Sequence, residues 1–157
     1  MIARRQRGGA AVEFAFVFPI LFMLVYGVIV YSYVFIVHES INFAAQEAAE
    51  AAVAVKAQGV TTASYTASVQ TRARAMATAV LDWLPDAQKQ GVLGTNGDKV
   101  AVSIAPAVGG SGGTYTVTVT LTLPLKSPAV FPIIDLPVVG EVPRLPDAIV
   151  AKAVVQV

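Results

Sequence analysis

Residues 4–37 read RRQRGGAAVEFAFVFPILFMLVYGVIVYSYVFIV, and this apolar stretch determines how the rest of the chain is interpreted. One acid, Glu13, interrupts it, and the 24 residues from 14 to 37 carry no charge. A helix over those positions would be about 36 Å long, whereas the hydrocarbon core of a membrane is about 30 Å thick. The stretch therefore predicts a membrane-spanning helix.

A cleaved secretory signal is the alternative interpretation of the same stretch. Such signals have an apolar core of about 7–15 residues, followed by small residues at the cleavage site. The apolar run here is longer, and it contains Pro19 and bulky aromatic residues to its end. The length of the run therefore favours a permanent anchor. Small residues do follow, as alanines at 44–45 and 48–49, so a signal peptide stays open as the alternative.

The flanking charges predict the orientation of this helix. Arg4, Arg5 and Arg7 precede it, and the first Lys or Arg after it is Lys56. Basic residues are enriched on the cytoplasmic side of membrane proteins. We therefore expect the N-terminus in the cytoplasm and residues 38–157 on the far side.

Glu13 is the unusual residue of the apolar run. A carboxylate inside a membrane segment is energetically costly, so by default it indicates a functional position. The alternative is that Glu13 lies at the headgroup boundary and interacts weakly with the nearby arginines. Its position alone leaves both interpretations open.

The residues around Gly8 resemble the processing site of class III prepilins. Residues 7–15 read RGGAAVEFA and open the apolar run. They are most similar to the TadE-like pseudopilins of tight-adherence (Flp, type IVb-like) pilus systems. In that family a short basic leader ends in Gly, and a membrane aspartyl prepilin peptidase cuts after it on the cytoplasmic side. Glu then occupies the fifth mature position, followed by an aromatic residue.

The resemblance implies a role for each matching position. Gly8 would be the last leader residue and Gly9 the first mature residue, so Glu13 would be fifth and Phe14 would follow. The double glycine departs from the family pattern, because a cut after Gly9 would make Glu13 the fourth residue. We favour the bond between Gly8 and Gly9. The basic residues of the leader would be Arg4, Arg5 and Arg7.

Composition limits what can follow the anchor. The chain has 157 residues, 55% of them hydrophobic, and a mean hydropathy of +0.66, which leaves room for one outer domain. Net charge is +1, and no basic patch indicates nucleic-acid binding. Cysteine is absent, which excludes disulfides and thiolate metal sites.

Helical spacing continues beyond the apolar run. Residues 38–57 are rich in Ala, Gln and Glu, so the first helix is expected to continue to about Gly59. Its apolar stripe can pack on its own domain or on another subunit. A second helix is expected over residues 64–84, ended by Pro85. The apolar stripe of the first helix comprises Ile41, Ala45, Ala48, Ala52 and Val55. That of the second helix comprises Val69, Ala73, Met76, Val80 and Leu84.

A period of two replaces the helical period after Pro85, with turn signals at 90–91 and 94–98. Residues 99–105 and 114–125 alternate, which predicts a hairpin over the glycine-rich residues 108–113. Residues 124–146 contain six prolines and are expected to be an irregular connection that covers the sheet. Residues 148–157 supply a last strand beside the hairpin.

These elements predict an α+β, pilin-like fold. A long N-terminal transmembrane helix would continue into an outer domain with a second helix and a small antiparallel sheet of about three strands. The domains would be a prepilin-type leader at 1–8, the transmembrane helix at 9–37 and an extracytoplasmic domain at 38–157.

No catalytic chemistry is indicated. His38 is the one histidine, and Glu39 beside it would point in another direction on a helix, so His38 is interpreted as an interfacial residue. Arg72 and Arg74 are interpreted as a solvated face, in preference to an anion site. The glycine run lacks the Lys-Ser/Thr ending of a phosphate loop. We expect no enzyme, no cofactor and no metal.

Two classes of function remain open. The first is a TadE-like minor pseudopilin, a structural subunit involved in pilus assembly, adhesion or biofilm formation. As partners the resemblance implies a prepilin peptidase, other pilin and pseudopilin subunits, the inner-membrane assembly platform and membrane lipid. It implies the bacterial inner membrane, with a periplasmic C-terminal domain, and leaves incorporation into an extracellular pilus open. The second class is a permanent single-pass membrane protein whose outer domain binds a partner or ligand.

Overall fold

The computed structural model describes residues 9–56, 62–106, 114–126, 131–132, 134–136 and 140–157. Within them the chain forms three helices and five strands, and the predicted α+β plan is confirmed. The helices are α1 (Gly9–Val53), α2 (Thr62–Val80) and α3 (Asp86–Leu93). The strands are β1 (Ala101–Pro106), β2 (Tyr115–Pro124), β3 (Ile134–Leu136), β4 (Gly140–Val142) and β5 (Ala148–Gln156).

Helix α1 continues without a break for 45 residues, through Pro19 and past His38, as predicted. Its α-helical pattern ends at Val53, and the predicted stop at Gly59 lies outside the described residues. Residues 9–29 bury no side chain, whereas from Val30 onward one face is buried. The two halves of the helix therefore have different environments.

The core forms where the outer half of α1 meets α2 and one face of the sheet. Alanine side chains project little, so they allow the two helices to approach closely. The buried stripe runs through Ala77 of α2 and Leu81, which directly follows the helix, whereas Met76 and Val80, which the spacing predicted, are only partly buried. The fully buried alanines of α1 and α2 are Ala44, Ala48, Ala52, Ala73 and Ala77.

The three-stranded sheet is antiparallel, as predicted, and its strand order is β1-β2-β5. Successive side chains of a strand point to opposite faces. In β2 the buried face carries Val117, Val119, Leu121 and Leu123 against the helices, while threonines alternate on the other face. The glycine-rich residues between β1 and β2 lie outside the described residues.

Helix α3 was not predicted, because Gly91 was interpreted as part of a turn. It is instead a buried helical residue, and a Cβ built on it would lie 3.4 Å from Leu123 Cδ1 and 3.7 Å from Pro124 Cδ. The missing side chain lets α3 pack closely against β2. The helix ends at Gly94, where φ is +73° and the N–H donates to the Gln90 carbonyl at 3.0 Å.

The proline-rich connection contains more regular structure than its composition indicated. Strands β3 and β4 pair antiparallel and place Asp135 opposite Glu141. Before them, Phe131 packs on the core, as expected for the apolar patches of this segment, whereas Ile134 is exposed. Residues 127–130, 133 and 137–139 lie outside the described residues.

Replacing Ala48 with leucine is expected to destabilise the outer domain by about 1–3 kcal/mol, because overpacking a filled core forces side chains and backbone to shift. Ala48 is 0% exposed. The free energy of unfolding can be followed in detergent through the fluorescence of Trp83, the one tryptophan.

The matched control is Gln46→Leu, which adds a similar side chain to an exposed position of the same helix. Exposed substitutions usually change stability by less than about 0.5 kcal/mol. Equal stability of Ala48→Leu and the wild type would contradict the tight packing of this face.

Candidate functional site

The N-terminal half of α1 is apolar and uncovered by the rest of the chain. Phe16 and Ile20 are 74% and 72% exposed, and no side chain between residues 9 and 29 is buried. Exposed apolar surface of this extent marks contact with lipid or with another protein. By length and composition, α1 can cross a membrane.

The structure describes three of the predicted site residues. Gly9 is the first residue of α1, and Glu13 and Phe14 are exposed on it. Residues four positions apart lie on the same helix face, about 5–6 Å from each other. Glu13 is thus one turn from Gly9, and their roles in processing and assembly remain predictions. Arg4, Arg5, Arg7 and Gly8 lie outside the described residues.

An aromatic ladder follows Glu13 along the helix. It consists of Phe14, Phe18, Phe22 and Tyr26, and the ring centroids of successive members are 5.4, 6.1 and 6.3 Å apart. Aromatic rings at these separations attract one another beyond the area they bury. This ladder was not predicted, although the repeat of aromatic residues every four positions in the sequence was its signal.

Tyr26 connects the ladder to the base of the outer domain. Its hydroxyl donates to the Pro132 carbonyl at 2.7 Å. Further along α1, the Tyr31 hydroxyl donates to the Arg144 carbonyl at 3.2 Å, and the Tyr33 hydroxyl donates to Gln88 Oε1 at 2.8 Å. Tyr26 and Tyr33, seven residues apart, therefore hold the base of the domain to one face of α1, and Tyr31 contacts it from another side of the helix.

Large apolar side chains of α1 remain exposed beside these contacts. Val28, Phe35 and Ile36 are 59%, 63% and 53% exposed, although domain contacts have already begun at Tyr26. The next Asp, Glu, Lys or Arg side chain along α1 is Glu39. The apolar surface thus extends along α1 beyond the level at which the domain begins.

His38 lines an apolar groove of about 550 Å³ between α1 and the start of β5, together with Phe35 and Ile149. Glu39 lines a different groove, beside Phe43 and Trp83. The two side chains therefore do not act as a pair. Among the described residues no group of three His, Cys, Asp or Glu side chains is placed to hold a metal ion.

Two surface ion pairs shift the pKa values of charged side chains in the outer domain. Lys89 Nζ lies 2.9 Å from Asp82 Oδ1, and this hydrogen bond and charge lower the pKa of Asp82. Lys126 Nζ lies 2.9 Å from Asp147 Oδ1, which raises the pKa of Lys126. Both carboxylates are exposed to solvent, where such pairs contribute little to stability.

Comparison with protein-family models identifies the segment that contains Glu13 and the aromatic ladder. Residues 8–50 match the model described as TadE-like protein. This confirms the resemblance over the N-terminal helix. The TadE-like segment begins at Gly8, the predicted last leader residue, and ends three residues before α1 does. No curated protein and no solved structure matches the chain.

The TadE-like match indicates a protein associated with the tight-adherence pilus. That family is structural, which agrees with the absence of a catalytic signal in the sequence, and it points to other pilus subunits as partners. A single apolar N-terminal helix agrees with a membrane-anchored pilus component. The match does not extend to α2 or to the sheet.

Proposed function

We propose that this chain is a minor pseudopilin, a structural subunit that takes part in assembly of a tight-adherence pilus. One observation carries the proposal: a single 45-residue helix, TadE-like as far as residue 50, has an apolar, uncovered half and an outer half that packs into the core of an α+β domain. The uncovered half can lie in lipid before assembly and against neighbouring subunits afterwards. The size of the outer domain supports a minor component, because the major pilins of such systems are little more than the helix.

Processing and orientation follow from the same proposal. A prepilin peptidase cuts between Gly8 and Gly9 on the cytoplasmic side, and residues 38–157 face the periplasm. In the inner membrane the chain contacts lipid, the assembly platform and other pilin and pseudopilin subunits. Adhesion and biofilm formation would depend on it through the pilus.

The second candidate is a permanent single-pass membrane protein whose outer domain binds a partner or ligand. That protein would have the same topology but would need no leader cleavage and no pilin neighbours. The TadE-like match supports the pseudopilin, because it begins at the predicted leader glycine.

An epitope tag placed after Val157 tests orientation and function in one experiment. In spheroplasts of the native cell, an antibody added from outside should bind the tag, because the outer domain faces the periplasm. After chemical cross-linking, the tagged chain should capture other pilus subunits, and a strain that lacks the chain should display fewer surface pili.

The control is an unrelated single-pass protein with the same tag, expressed at the same level. It should be accessible in spheroplasts and capture no pilus subunit. A tag that is reached only after the membrane is permeabilised would refute the orientation. An unchanged number of pili without the chain, together with no captured subunit, would favour the second candidate.

A further inference from the structure

A cleft of about 870 Å³ lies between α2 and the turn that follows α3, on the side of α2 where Arg74 lies. Its volume falls within the range of about 300–1,000 Å³ typical of ligand sites. The polar residues that line it are Thr71, Arg74, Thr78, Asp82, Thr95 and Asn96.

Arg74 is held in this cleft by close packing. A Cβ built on Gly97 would lie 3.4 Å from Arg74 Cβ and 3.8 Å from Arg74 Cδ, so the arginine stem lies against a glycine that leaves room for it. Gly97 also has a φ of +72°, which other residues rarely adopt. The backbone of this turn therefore fits the arginine side chain.

The guanidinium of Arg74 has no protein partner among the described residues. Its Nε is buried and unbonded, and the described part of the chain offers it no ion pair. Buried polar groups are nearly always hydrogen-bonded, and each exception requires an explanation such as a bound water or ion. An anionic group in the cleft would compensate the charge of Arg74.

The other polar side chains that line the cleft act either as hydrogen-bond acceptors or as donors. The Thr71 hydroxyl donates to the Ala67 carbonyl at 2.8 Å and the Thr78 hydroxyl donates to the Arg74 carbonyl at 2.9 Å. With their protons used, both oxygens can only accept. Asp82 is an ionised acceptor, held by Lys89.

Donors lie on the other wall of the cleft. Within the described residues, the side chains of Thr95 and Asn96 make no hydrogen bond, so their O–H and N–H groups are free to donate. A ligand must therefore combine an oxyanion for Arg74 with hydroxyl groups for the acceptors. A bare phosphate would offer too few donors to Thr71, Thr78 and Asp82.

We propose that this cleft binds a hydroxylated carboxylate of the uronic-acid class, with its carboxylate on Arg74 and its hydroxyl groups on Thr71, Thr78 and Asp82. Such a site differs from the solvated face that the sequence predicted for Arg72 and Arg74. It concerns α2 and the turn after α3, so it is independent of the TadE-like helix and of the proposed pilus role.

A lipid headgroup is not the source of the carboxylate. Asp82 marks one end of the cleft, and the next residue, Trp83, shares a groove with Glu39 and Phe43 of α1. Glu39 lies 13 residues beyond Tyr26, about 20 Å along the helix axis. The cleft is therefore well above the base of the domain.

The test is a titration of the full chain in detergent micelles with sodium glucuronate at constant ionic strength, followed by calorimetry. Glucose and acetate are the matched probes, because glucose carries the hydroxyl groups without a carboxylate and acetate carries the carboxylate without hydroxyl groups. Glucuronate should bind with a dissociation constant of about 1 mM, a value typical of weak ligands. Glucose and acetate should each bind at least about tenfold more weakly, since glucose leaves Arg74 without an anionic partner and acetate leaves the acceptors Thr71, Thr78 and Asp82 without donors. Equal binding of acetate and glucuronate, or no binding of glucuronate, would overturn the proposal.

Two arginine variants locate the site. Arg74→Gln should weaken glucuronate binding about tenfold or more, because it removes the partner of the carboxylate. Arg72→Gln removes the same charge from an exposed position two residues away and should change the affinity less than about twofold. Equal losses in the two variants would indicate a general charge effect and refute the site.

Arg74→Lys is a second variant that tests the site even if Arg74→Gln misfolds. Lysine keeps the charge but lacks the planar fork of donors, so an intermediate affinity is expected in a chain that melts like the wild type. If Arg74→Lys folded normally and bound glucose and glucuronate equally, Arg74 would have no role in carboxylate recognition.

Discussion

Glu13→Leu is expected to insert into the membrane at the wild-type level but to fail to join the pilus. Cleavage after Gly8 creates a new α-amino group on Gly9, whose reference pKa is about 8. At neutral pH this group is mostly positive, and Glu13 lies one turn along the same helix. The two opposite charges can therefore form a pair, within one chain or between neighbouring chains.

The expected loss is in assembly because burial of a single charge is costly, whereas a hydrogen-bonded pair largely offsets that cost. In the assembled state both groups leave water, so a leucine at position 13 would leave the amino group of a neighbouring chain unpaired. Removing a carboxylate from an apolar segment does not hinder insertion. A pair between subunits would also fix their axial register.

Membrane fractionation measures insertion, and co-purification with other pilus subunits measures assembly. Glu13→Asp should be intermediate, because its shorter side chain brings the carboxylate less close to the amino group. Glu50→Leu is the control, since it removes the same charge from an exposed position near the other end of α1 and should assemble normally. If Glu13→Leu assembled as well as the wild type, the carboxylate would be merely interfacial.

Gly8→Leu is expected to block processing. The native protein should lack residues 1–8 by mass spectrometry, and the leucine variant should retain them. Glycine lets another backbone approach closely because it has no side chain. A bulky leucine next to the cleaved bond would prevent that approach, and Gly8→Ala should be partly tolerated.

Gly27→Leu is the matched control, because the same substitution there meets open space within the apolar helix and should leave cleavage unchanged. A native chain that lacks residues 1–9 would place the cut after Gly9 and make Glu13 the fourth mature residue. An intact N-terminus in cells that contain the peptidase would contradict the pseudopilin proposal.

The elements that the sequence predicted well are those with long, regular patterns. Residues 38–53 of α1 contain strong helix formers without glycine or proline, and β2 alternates threonine with buried apolar residues over its length. In both, local preference and burial favour the same structure. The three-stranded antiparallel sheet followed from these patterns.

Elements that depend on long-range packing were missed. Gly91 is a weak helix former on its own, and its place in α3 is explained by Leu123, which is distant in sequence. The contact of Tyr26 was missed for the same reason, because its hydroxyl donates to the carbonyl of Pro132, which is also distant in sequence. In the candidate site, the helix with Gly9, Glu13 and Phe14 was predictable, whereas the cleft at Arg74 required the turn that contains Gly97.

The continuity of α1 makes the domain and the anchor one mechanical body. In the proposed pseudopilin the uncharged residues 14–37 span about 36 Å, more than a typical hydrocarbon core of about 30 Å. Such an excess of apolar length is accommodated by tilting of the helix in the bilayer. Because α1 has no break between the outer domain and Glu13, a pull on the domain along the helix axis would reach the contacts of Glu13 through one continuous rod.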